Sequence, residues 1–155
     1  IRYFKKFGVT KFVICCGYKQ NIIKDYFQNY FLLNSDFRVN LKTGVIDFLG
    51  KPQVDIDVSV VDTGLNTMTG GRLARIYEFV KNEEDIFITY GDGLSDIDLS
   101  EEYQFHKSHG KLATVAAVFP EARFGALNIE RNIVTSFSEK PISEGGRING
   151  GYFIV

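Results

Sequence analysis

The chain has 155 residues, of which 45% are hydrophobic and 24% are charged, and its formal net charge at pH 7 is -1. This composition is typical of a globular protein with a sizeable core, and the small net charge gives no reason to expect nucleic acid or an acidic membrane as a partner. No apolar stretch approaches the roughly 20 residues that a membrane-spanning helix needs, so we expect no membrane insertion.

Strands and helices are predicted to alternate from the start of the chain. Residues 1–8 indicate the last turns of a helix that closes on a glycine. Lys11–Cys16 is a near-continuous apolar run and predicts a strand buried on both faces. Residues 21–31 have helical periodicity, with Gln20 or Asn21 as the cap. The predicted apolar face of that helix comprises Ile22, Ile23, Tyr26, Phe27 and Tyr30.

The two cysteines of the first strand, Cys15 and Cys16, are neighbours. Adjacent residues of a strand point to opposite faces, so these thiols are not placed to form an ordinary disulfide with each other. We expect both to be reduced, buried, small apolar side chains, which favours a cytoplasmic setting.

The middle of the chain predicts a hairpin, a strand and a helix. Residues 34–52 are expected to form an excursion with a hairpin around Thr43 and Gly44. Residues 55–61 alternate apolar and polar side chains, which indicates a strand. A helix is expected from Thr69 to about Lys81. Its predicted inward side chains are Leu73, Ile76, Tyr77 and Val80.

The last third of the chain predicts more strands than helices. Residues 85–90 form a buried strand, Leu99–His109 a helix, and residues 112–119 another strand. Short strands follow at residues 126–129, 133–137 and 148–155, with Asn132 as the turn between the first two. The alternation predicts one α/β domain over residues 1–155, with a mixed, mostly parallel sheet flanked by helices on both faces.

An aspartate follows the strand that ends at Tyr90, in the run Gly91-Asp92-Gly93. The carboxyl ends of buried strands are where open α/β sheets bind ligands. The flanking glycines leave room for a ligand near the backbone, and an aspartate placed there is a natural ligand for Mg²⁺. A tight turn with a capping aspartate is the simpler alternative.

A polar loop and a helix start follow the strand of residues 55–61, within the run 62–73. The unpaired amides of a helix N-terminus suit a phosphate or the polar edge of a base. Gly70 and Gly71 would let a ligand reach those amides, and Arg72 offers a charge-assisted, bidentate contact to phosphate. A threonine-capped helix with flexible glycines is the alternative.

Two shorter signals lie near the end of the chain. Glu139 and Lys140 follow a strand and precede a proline. A carboxylate that accepts from hydroxyl groups beside an ammonium that meets a phosphate suits a sugar phosphate, although surface Glu-Lys pairs are common. Asn149, before two glycines, opens the last strand and is a second candidate; its alternative is a plain turn.

Other patterns are better explained by structure than by metal binding or catalysis. His106 and His109 are three residues apart on a helix, but no third ligand with zinc-like spacing follows, so a solvated helix face is the better interpretation. Asp96 and Asp98 form an Asp-x-Asp that a metal-dependent glycosyltransferase would use, yet they are better placed to start a helix. No Ser/His/Asp order or exposed cysteine supports covalent catalysis.

In this order the motifs resemble the sugar-nucleotide pyrophosphorylase family, and within it the cytidylyl branch. The resemblance covers most of the chain and is poorest at residues 34–52. The matching runs are Cys15-Cys16-Gly17-Tyr18-Lys19, Val61-Asp62-Thr63-Gly64, Met68-Thr69-Gly70-Gly71-Arg72-Leu73, Thr89-Tyr90-Gly91-Asp92-Gly93, residues 105–111, Arg123-Phe124-Gly125-Ala126-Leu127, Glu139-Lys140-Pro141 and Ile148-Asn149-Gly150-Gly151-Tyr152-Phe153.

The resemblance implies a Rossmann-like, GT-A-like nucleotidyltransferase fold and a reaction in which CTP and glucose 1-phosphate give CDP-glucose and pyrophosphate. It implies Mg²⁺ as the cofactor, bound by Asp92. It also implies that the complete protein is a homo-oligomer and that its product is used in the synthesis of bacterial surface polysaccharide. Asp92 and Lys140 are the expected catalytic residues. The nucleotide would be held by Thr67, Gly70, Gly71, Arg72 and Gly91, and the sugar phosphate by Gly125, Glu139, Lys140 and Asn149.

The resemblance also implies that parts of the site are missing. The family's Gly-rich loop, with its catalytic arginine and lysine, and a second metal-binding aspartate are not found in these 155 residues. We therefore expect a domain truncated at both ends and inactive by itself. A thymidylyl- or uridylyltransferase of the same family and a non-catalytic nucleotide-sugar sensor remain open as alternatives.

Overall fold

The computed structural model describes residues 1–50, 55–119, 126–138 and 147–155. The chain divides into two compact units, Ile1–Glu83 and Glu84–Val155, and each is described by itself. Gly125, Glu139 and Lys140, three of the predicted site residues, lie outside the described residues. The sequence predicts one domain over residues 1–155, and this single domain stays a prediction.

The first unit contains a parallel strand pair, a small hairpin and five short helices among its described residues. Its elements are α1 (Arg2–Lys5), β1 (Lys11–Cys16), α2 (Gln20–Gln28), α3 (Tyr30–Asn34), β2 (Phe37–Val39), β3 (Ile46–Phe48), β4 (Asp57–Asp62), α4 (Thr69–Arg75) and α5 (Tyr77–Val80).

The pairing of β1 with β4 brings the carboxyl ends of two strands to one edge. The strands run parallel, in a register from Lys11 opposite Asp57 to Cys16 opposite Asp62. Cys16 is buried, whereas the other residues of β1 are half-buried or exposed. The prediction that β1 is buried on both faces is therefore wrong, because an apolar run does not fix how fully other elements cover it.

The predicted helix at residues 21–31 is two helices with a break at Asn29. The side-chain amide of Asn29 donates to the backbone carbonyl of Asp25, at 3.0 Å, which competes with helix continuation. Lys19, in the left-handed region, occupies the N-cap of α2 without a side-chain bond, so the predicted cap by Gln20 or Asn21 is wrong. Ile22 is 58% exposed, so the predicted apolar face is only partly covered.

The predicted helix from Thr69 to Lys81 is interrupted at Ile76, which separates α4 from α5. Ile76 is buried, as predicted. Tyr77 is 61% exposed, so its predicted inward position is wrong. The predicted inward face assumes one continuous helix, so it does not carry over past the break at Ile76.

The second unit is built on an antiparallel sheet with β9 in the centre. Its described elements are β5 (Phe87–Thr89), α6 (Leu99–His109), β6 (Thr114–Val118), β7 (Ala126–Glu130), β8 (Ile133–Ser138) and β9 (Ile148–Ile154). In register, Thr89 of β5 lies opposite Tyr152, and Thr114 of β6 lies opposite Ile154. Leu99 and Ile154 are fully buried and form the centre of this unit's core.

Local sequence signals correctly predicted three connections. Gly44 has a positive φ in the turn of the β2–β3 hairpin, as expected from the Thr-Gly pair. Arg131 and Asn132 both have positive φ in the two-residue turn between β7 and β8, which matches the twist of a hairpin. Asp98 caps α6 by accepting from the amides of Ser100 and Glu101.

A buried polar cluster joins α6 to the sheet edge of the second unit. His106 Nδ1 lies 2.8 Å from Thr114 Oγ1, and His109 Nε2 lies 2.7 Å from the same oxygen. His106 Nε2 lies 3.3 Å from a carboxylate oxygen of Asp85. The predicted solvated face is therefore wrong for His106, which is buried and partnered, because the sequence does not show that Asp85 and Thr114 meet it.

The mixed α/β fold, with a parallel strand pair and helices, is confirmed. Among the described strands only β1 and β4 pair in parallel, so the predicted majority of parallel pairings is not found there. Among the helices that the structure describes, none has the length and apolarity that a membrane crossing requires.

Candidate functional site

In the first unit, the loop between β4 and α4 is anchored at its first residue. Asp62 accepts from the side-chain amide of Gln20 at 2.8 Å and from the backbone amide of Gly64 at 2.9 Å. These hydrogen bonds hold the pKa of the Asp62 carboxyl below its usual range. The carboxylate therefore fixes the first turn of the loop and ties it to the start of α2.

Thr63 joins the ends of the two parallel strands. It is fully buried, and both its backbone amide and its hydroxyl donate to the carbonyl of Cys16, each at 2.9 Å. The guanidinium of Arg72 reaches the same place, since Nη1 donates to the Cys16 carbonyl at 3.0 Å and to Thr63 Oγ1 at 2.6 Å. Arg72 thus binds α4 to the carboxyl end of β1.

This arrangement leaves Arg72 less open to a ligand than the sequence implies. Its second terminal nitrogen, Nη2, lies 3.4 Å from the carbonyl of Leu65. Because both Nη1 protons are directed to protein acceptors, contacts with a ligand fall to Nη2 and Nε in this conformation. A bidentate contact with a phosphate through both Nη groups would require Arg72 to break its hydrogen bond to the Cys16 carbonyl. The contact of Arg72 with phosphate stays a prediction.

Gly17 makes the position of Arg72 sterically possible. A Cβ at residue 17 would lie 2.7 Å from Arg72 Nη2 and 2.9 Å from the carbonyl oxygen of Gly64. Both distances are shorter than real Cβ contacts, and one of the atoms belongs to the backbone. The glycine after the Cys-Cys pair is therefore required by the guanidinium that lies against it.

Two of the predicted nucleotide residues, Thr67 and Gly71, are in close contact. A Cβ at Gly71 would lie 2.9 Å from Thr67 Cγ2, so α4 and the loop are in close contact. Gly70 faces open space, because no described atom beyond its chain neighbours and its own helix backbone lies within 4 Å of where its Cβ would be. Met68 is the N-cap of α4 and makes no side-chain cap bond, so the alternative of a threonine-capped helix is wrong.

In the second unit, the residues after β5 form a tight turn. The amide of Gly93 donates to the carbonyl of Tyr90 at 3.2 Å, and the hydroxyl of Tyr152 donates to the carbonyl of Gly93 at 3.4 Å. Asp92 is exposed at the tip of this turn. Apart from its two chain neighbours, no described residue has an atom within 4 Å of a Cβ placed at Gly91, so a ligand can approach the turn there.

Asn149 lies beside the same turn because β9 runs antiparallel to β5. Its Oδ1 accepts from the amide of Gly151 at 2.7 Å, and its Nδ2 lies 3.4 Å from the Tyr90 hydroxyl. Gly151 has a φ of +82°, and a Cβ there would lie 3.1 Å from the Tyr90 ring. The structure therefore brings Asn149, predicted on the sugar side, close to the turn that carries Asp92.

Sequence reasoning missed the residues that hold these loops. Thr63 and Arg75 position the loop in the first unit, and Tyr90 positions the turn in the second. The three-residue spacing of Arg72 and Arg75 on one helix could have indicated that both face the same loop. Nothing in the local sequence indicates that Tyr90 lies against the last strand.

The described side chains favour positioning over covalent chemistry. Cys15 and Cys16 are free thiols, and burial raises the pKa of both, which disfavours the nucleophilic thiolate. No cluster of three or more histidine, cysteine, aspartate or glutamate side chains in the described ranges could enclose a metal ion. A metal at Asp92 would therefore take its other ligands from outside the described side chains.

The sequence profile of the family described as nucleotidyl transferase matches residues 4–154. The chain therefore belongs to the nucleotidyl transferase family, and the resemblance seen in its motifs is confirmed.

Three named relatives show which members of the family this chain is similar to. Glucose-1-phosphate cytidylyltransferase of Salmonella typhi is 48% identical over 148 residues, which are 96% of this chain and 58% of the relative. A probable glucose-1-phosphate cytidylyltransferase of Bacillus subtilis is 33% identical over 155 residues, 60% of its length. A D-glycero-alpha-D-manno-heptose 1-phosphate guanylyltransferase of Campylobacter jejuni is 31% identical over 154 residues, 58% of its length. The chain thus spans less than two thirds of each.

Proposed function

We propose that this chain is part of a glucose-1-phosphate cytidylyltransferase, which converts CTP and glucose 1-phosphate to CDP-glucose and pyrophosphate. The structural observation that carries the proposal is the turn after β5, which holds the Asp92 carboxylate exposed beside the open backbone of Gly91. The 48% identity to the Salmonella enzyme over nearly the whole chain supports the choice of substrates.

Asp92 is the proposed ligand of Mg²⁺. The fit is chemical: an exposed carboxylate on an open turn suits an ion that is usually held by one or two carboxylates, several waters and substrate phosphates. When bound, Mg²⁺ would neutralise part of the negative charge on the triphosphate. Gly91 contributes by leaving space beside the carboxylate for a phosphate group.

The loop and helix of the first unit are the proposed nucleotide contacts. Gly70 exposes backbone near the uncapped start of α4, where amides are available to an anion or a base edge. Thr67 offers a hydroxyl, and Gly71 allows that side chain to lie against the helix. Arg72 contributes by holding this loop to the end of β1, and by the protons of Nη2 and Nε.

Asn149 is the proposed sugar-side contact among the described residues. Its Oδ1 is occupied by the amide of Gly151, which orients the amide nitrogen as a donor for a hydroxyl or phosphate oxygen. Gly125, Glu139 and Lys140 are proposed to hold the same substrate, with Lys140 supplying a positive charge to the reacting phosphate. These roles follow from motif position.

The proposed reaction needs neither a protein nucleophile nor a general base. A phosphate oxygen of glucose 1-phosphate is already anionic at neutral pH and attacks the α-phosphorus of CTP in line. The bond from that phosphorus to the oxygen bridging to the β-phosphate breaks, and pyrophosphate leaves with the electron pair. Catalysis by positioning and charge stabilisation agrees with thiols whose pKa is raised by desolvation, although Cys15 is only half-buried and so not the fully buried side chain that the sequence predicts.

The test is pyrophosphate release by the complete protein that contains this chain. It would be supplied with Mg²⁺, glucose 1-phosphate and one of CTP, UTP, dTTP, ATP or GTP. Release with CTP alone is the expected result. Release with another nucleotide would keep the reaction and change the base, and GTP is included because a guanylyltransferase is among the relatives. Nucleotide binding without release would favour a sensor.

We further propose that the complete protein works in the cytoplasm as a homo-oligomer, and that its product supplies bacterial surface polysaccharide synthesis. The free state of Cys15 and Cys16 supports a reducing compartment. Resemblance to the family supports the oligomer and the pathway.

A further inference from the structure

Arg75 has no role in the proposed reaction so far, yet its guanidinium contacts the same loop between β4 and α4 as that of Arg72. The two arginines are three residues apart on α4, so they lie on neighbouring positions of one helix face. Nη1 of Arg75 donates to the carbonyl of Thr63 at 2.5 Å and to Thr67 Oγ1 at 2.8 Å. Arg75 therefore connects the buried start of the loop to its exposed threonine.

Gly64 makes space for this connection. Its φ of +88° lies in the left-handed region, and a Cβ there would clash with Arg75 Nη1 and lie 2.7 Å from Thr67 Oγ1. The loop between these two residues is thus shaped so that the guanidinium can reach the hydroxyl.

The chemistry of the pair fixes the direction of the threonine proton. A guanidinium has only donors, so Thr67 Oγ1 must accept the hydrogen bond from Arg75. The hydroxyl proton of Thr67 is then free to point away from Arg75, toward whatever group approaches the loop. A threonine held in this way presents a donor, and it matches a hydrogen-bond acceptor on the ligand.

We propose that Arg75 is a positioning residue that makes Thr67 a donor to an acceptor oxygen of the bound nucleotide, either a phosphate oxygen or a carbonyl of the base. This inference rests on the proposed function, because it takes Thr67 as a nucleotide contact. It assigns no contact between Arg75 and the nucleotide.

A double-mutant cycle in the complete protein tests the proposal. Arg75→Met removes the donor, and Thr67→Val removes the hydroxyl while keeping the shape of the side chain. We expect Arg75→Met to raise the KM and the directly measured Kd for CTP about tenfold, the usual scale for one lost charge-assisted hydrogen bond. The KM for glucose 1-phosphate should stay within twofold. In the Thr67→Val background, Arg75→Met should change the CTP constants less than about twofold, because the hydroxyl is already gone.

Matched controls separate positioning from general loss of structure or charge. In a Thr67→Ser background the Oγ remains, so Arg75→Met should again cost about tenfold. Lys81→Met removes another exposed cation of the same unit, at the C-cap of α5, and should leave the CTP constants unchanged. If Arg75→Met does not fold, Arg75→Lys replaces it, because a lysine ammonium lacks the planar fork that reaches both acceptors.

Each outcome decides the proposal. Equal losses in the wild-type and Thr67→Val backgrounds would overturn it, since Arg75 would then act independently of the hydroxyl. A matching rise in the KM for glucose 1-phosphate would also overturn it. If the wild-type protein turns over CTP but the effects of Arg75→Met and Thr67→Val on the CTP constants simply add, only the proposed role of Arg75 is refuted. A protein that binds no nucleoside triphosphate refutes this role and the proposed function together.

Discussion

Glu102 is a carboxylic acid that lies buried among the described residues. It lies on α6, its residue is only 7% exposed, and neither carboxylate oxygen has a hydrogen-bond partner among the described residues. Burial raises the pKa of this carboxyl, and the nearby His106 opposes that effect. Glu102→Gln removes the charge with almost no change of shape, so it isolates the cost of burying a carboxylate here.

The expected gain follows from the cost of an unsatisfied buried group. Leaving a neutral buried donor or acceptor unpaired costs about 1 to 3 kcal/mol, and a charged one costs more. Glutamine at this position would still bury an unpaired amide, so the substitution recovers only the part of the free-energy cost that is due to the negative charge. We therefore expect the free energy of unfolding at pH 7.5 to rise by about 1 kcal/mol in Glu102→Gln.

The pH dependence gives the sharper test. A folded-state pKa raised above the ordinary glutamate value of 4.5 means that the folded state binds the proton more tightly than the unfolded chain. Below that value Glu102 is neutral in both states and carries no charge penalty. The penalty grows as the pH rises through the window between the unfolded and folded pKa values, and it is complete above it. The advantage of Glu102→Gln should therefore be lost at about pH 4 and full at pH 7.5.

Urea unfolding of the complete protein at about pH 4, 5.5 and 7.5 would measure this difference. Glu101→Gln is the matched control, since Glu101 is an exposed neighbour in the first turn of α6, where a negative charge is favourable. It should lower stability slightly at neutral pH, the opposite sign. A Glu102→Gln protein less stable than wild type at pH 7.5 would refute the reasoning, because the carboxylate would then have a stabilising partner.

Three further predictions concern the proposed site and its loops. Asp92→Asn in the complete protein should lower turnover by about a hundredfold or more at an unchanged urea midpoint, and near-normal turnover would contradict its metal role. Lys140→Ala should chiefly raise the KM for glucose 1-phosphate; a change confined to the KM for CTP would show that the sugar-side assignment is wrong. Gly64→Ala should destabilise the fold by about 2 to 3 kcal/mol, since it adds a clash with Arg75 to a φ of +88°. Gly44→Ala, at a φ of +72° in open space, is its control and should cost only about 1 kcal/mol of strain; equal losses would argue against the clash.

The elements that local chemistry specifies were predictable from the sequence. β1 has the bounds expected from its apolar run, and α6 begins after a capping Asp98 and ends at His109, with Gly110 at its C-cap in the left-handed region. The β7–β8 turn followed from Asn132. In each case the signal lies within a few residues of the structure that it determines.

What the sequence did not predict depends on partners far along the chain. The guanidinium of Arg72 is directed at a carbonyl 56 residues earlier, and helical periodicity says nothing about that meeting. His106 was expected in solvent because its neighbours on α6 are polar, but Asp85 and Thr114 converge on it from other elements. Gly70, Gly91 and Asp92 were named from motifs, and the structure shows that their surroundings are open.

The anchor of the loop in the first unit is a backbone oxygen. The carbonyl of Cys16 accepts from the amide and hydroxyl of Thr63 and from Arg72. A main-chain acceptor survives replacement of its own side chain, so position 16 is free to change its chemistry during evolution provided that the new side chain fits a buried space. The donors at positions 63 and 72 and the small residue at position 17 have no such freedom. Sequence drift in this part of the protein should therefore be uneven, tolerant at the cysteine and restrictive at the residues that surround its carbonyl.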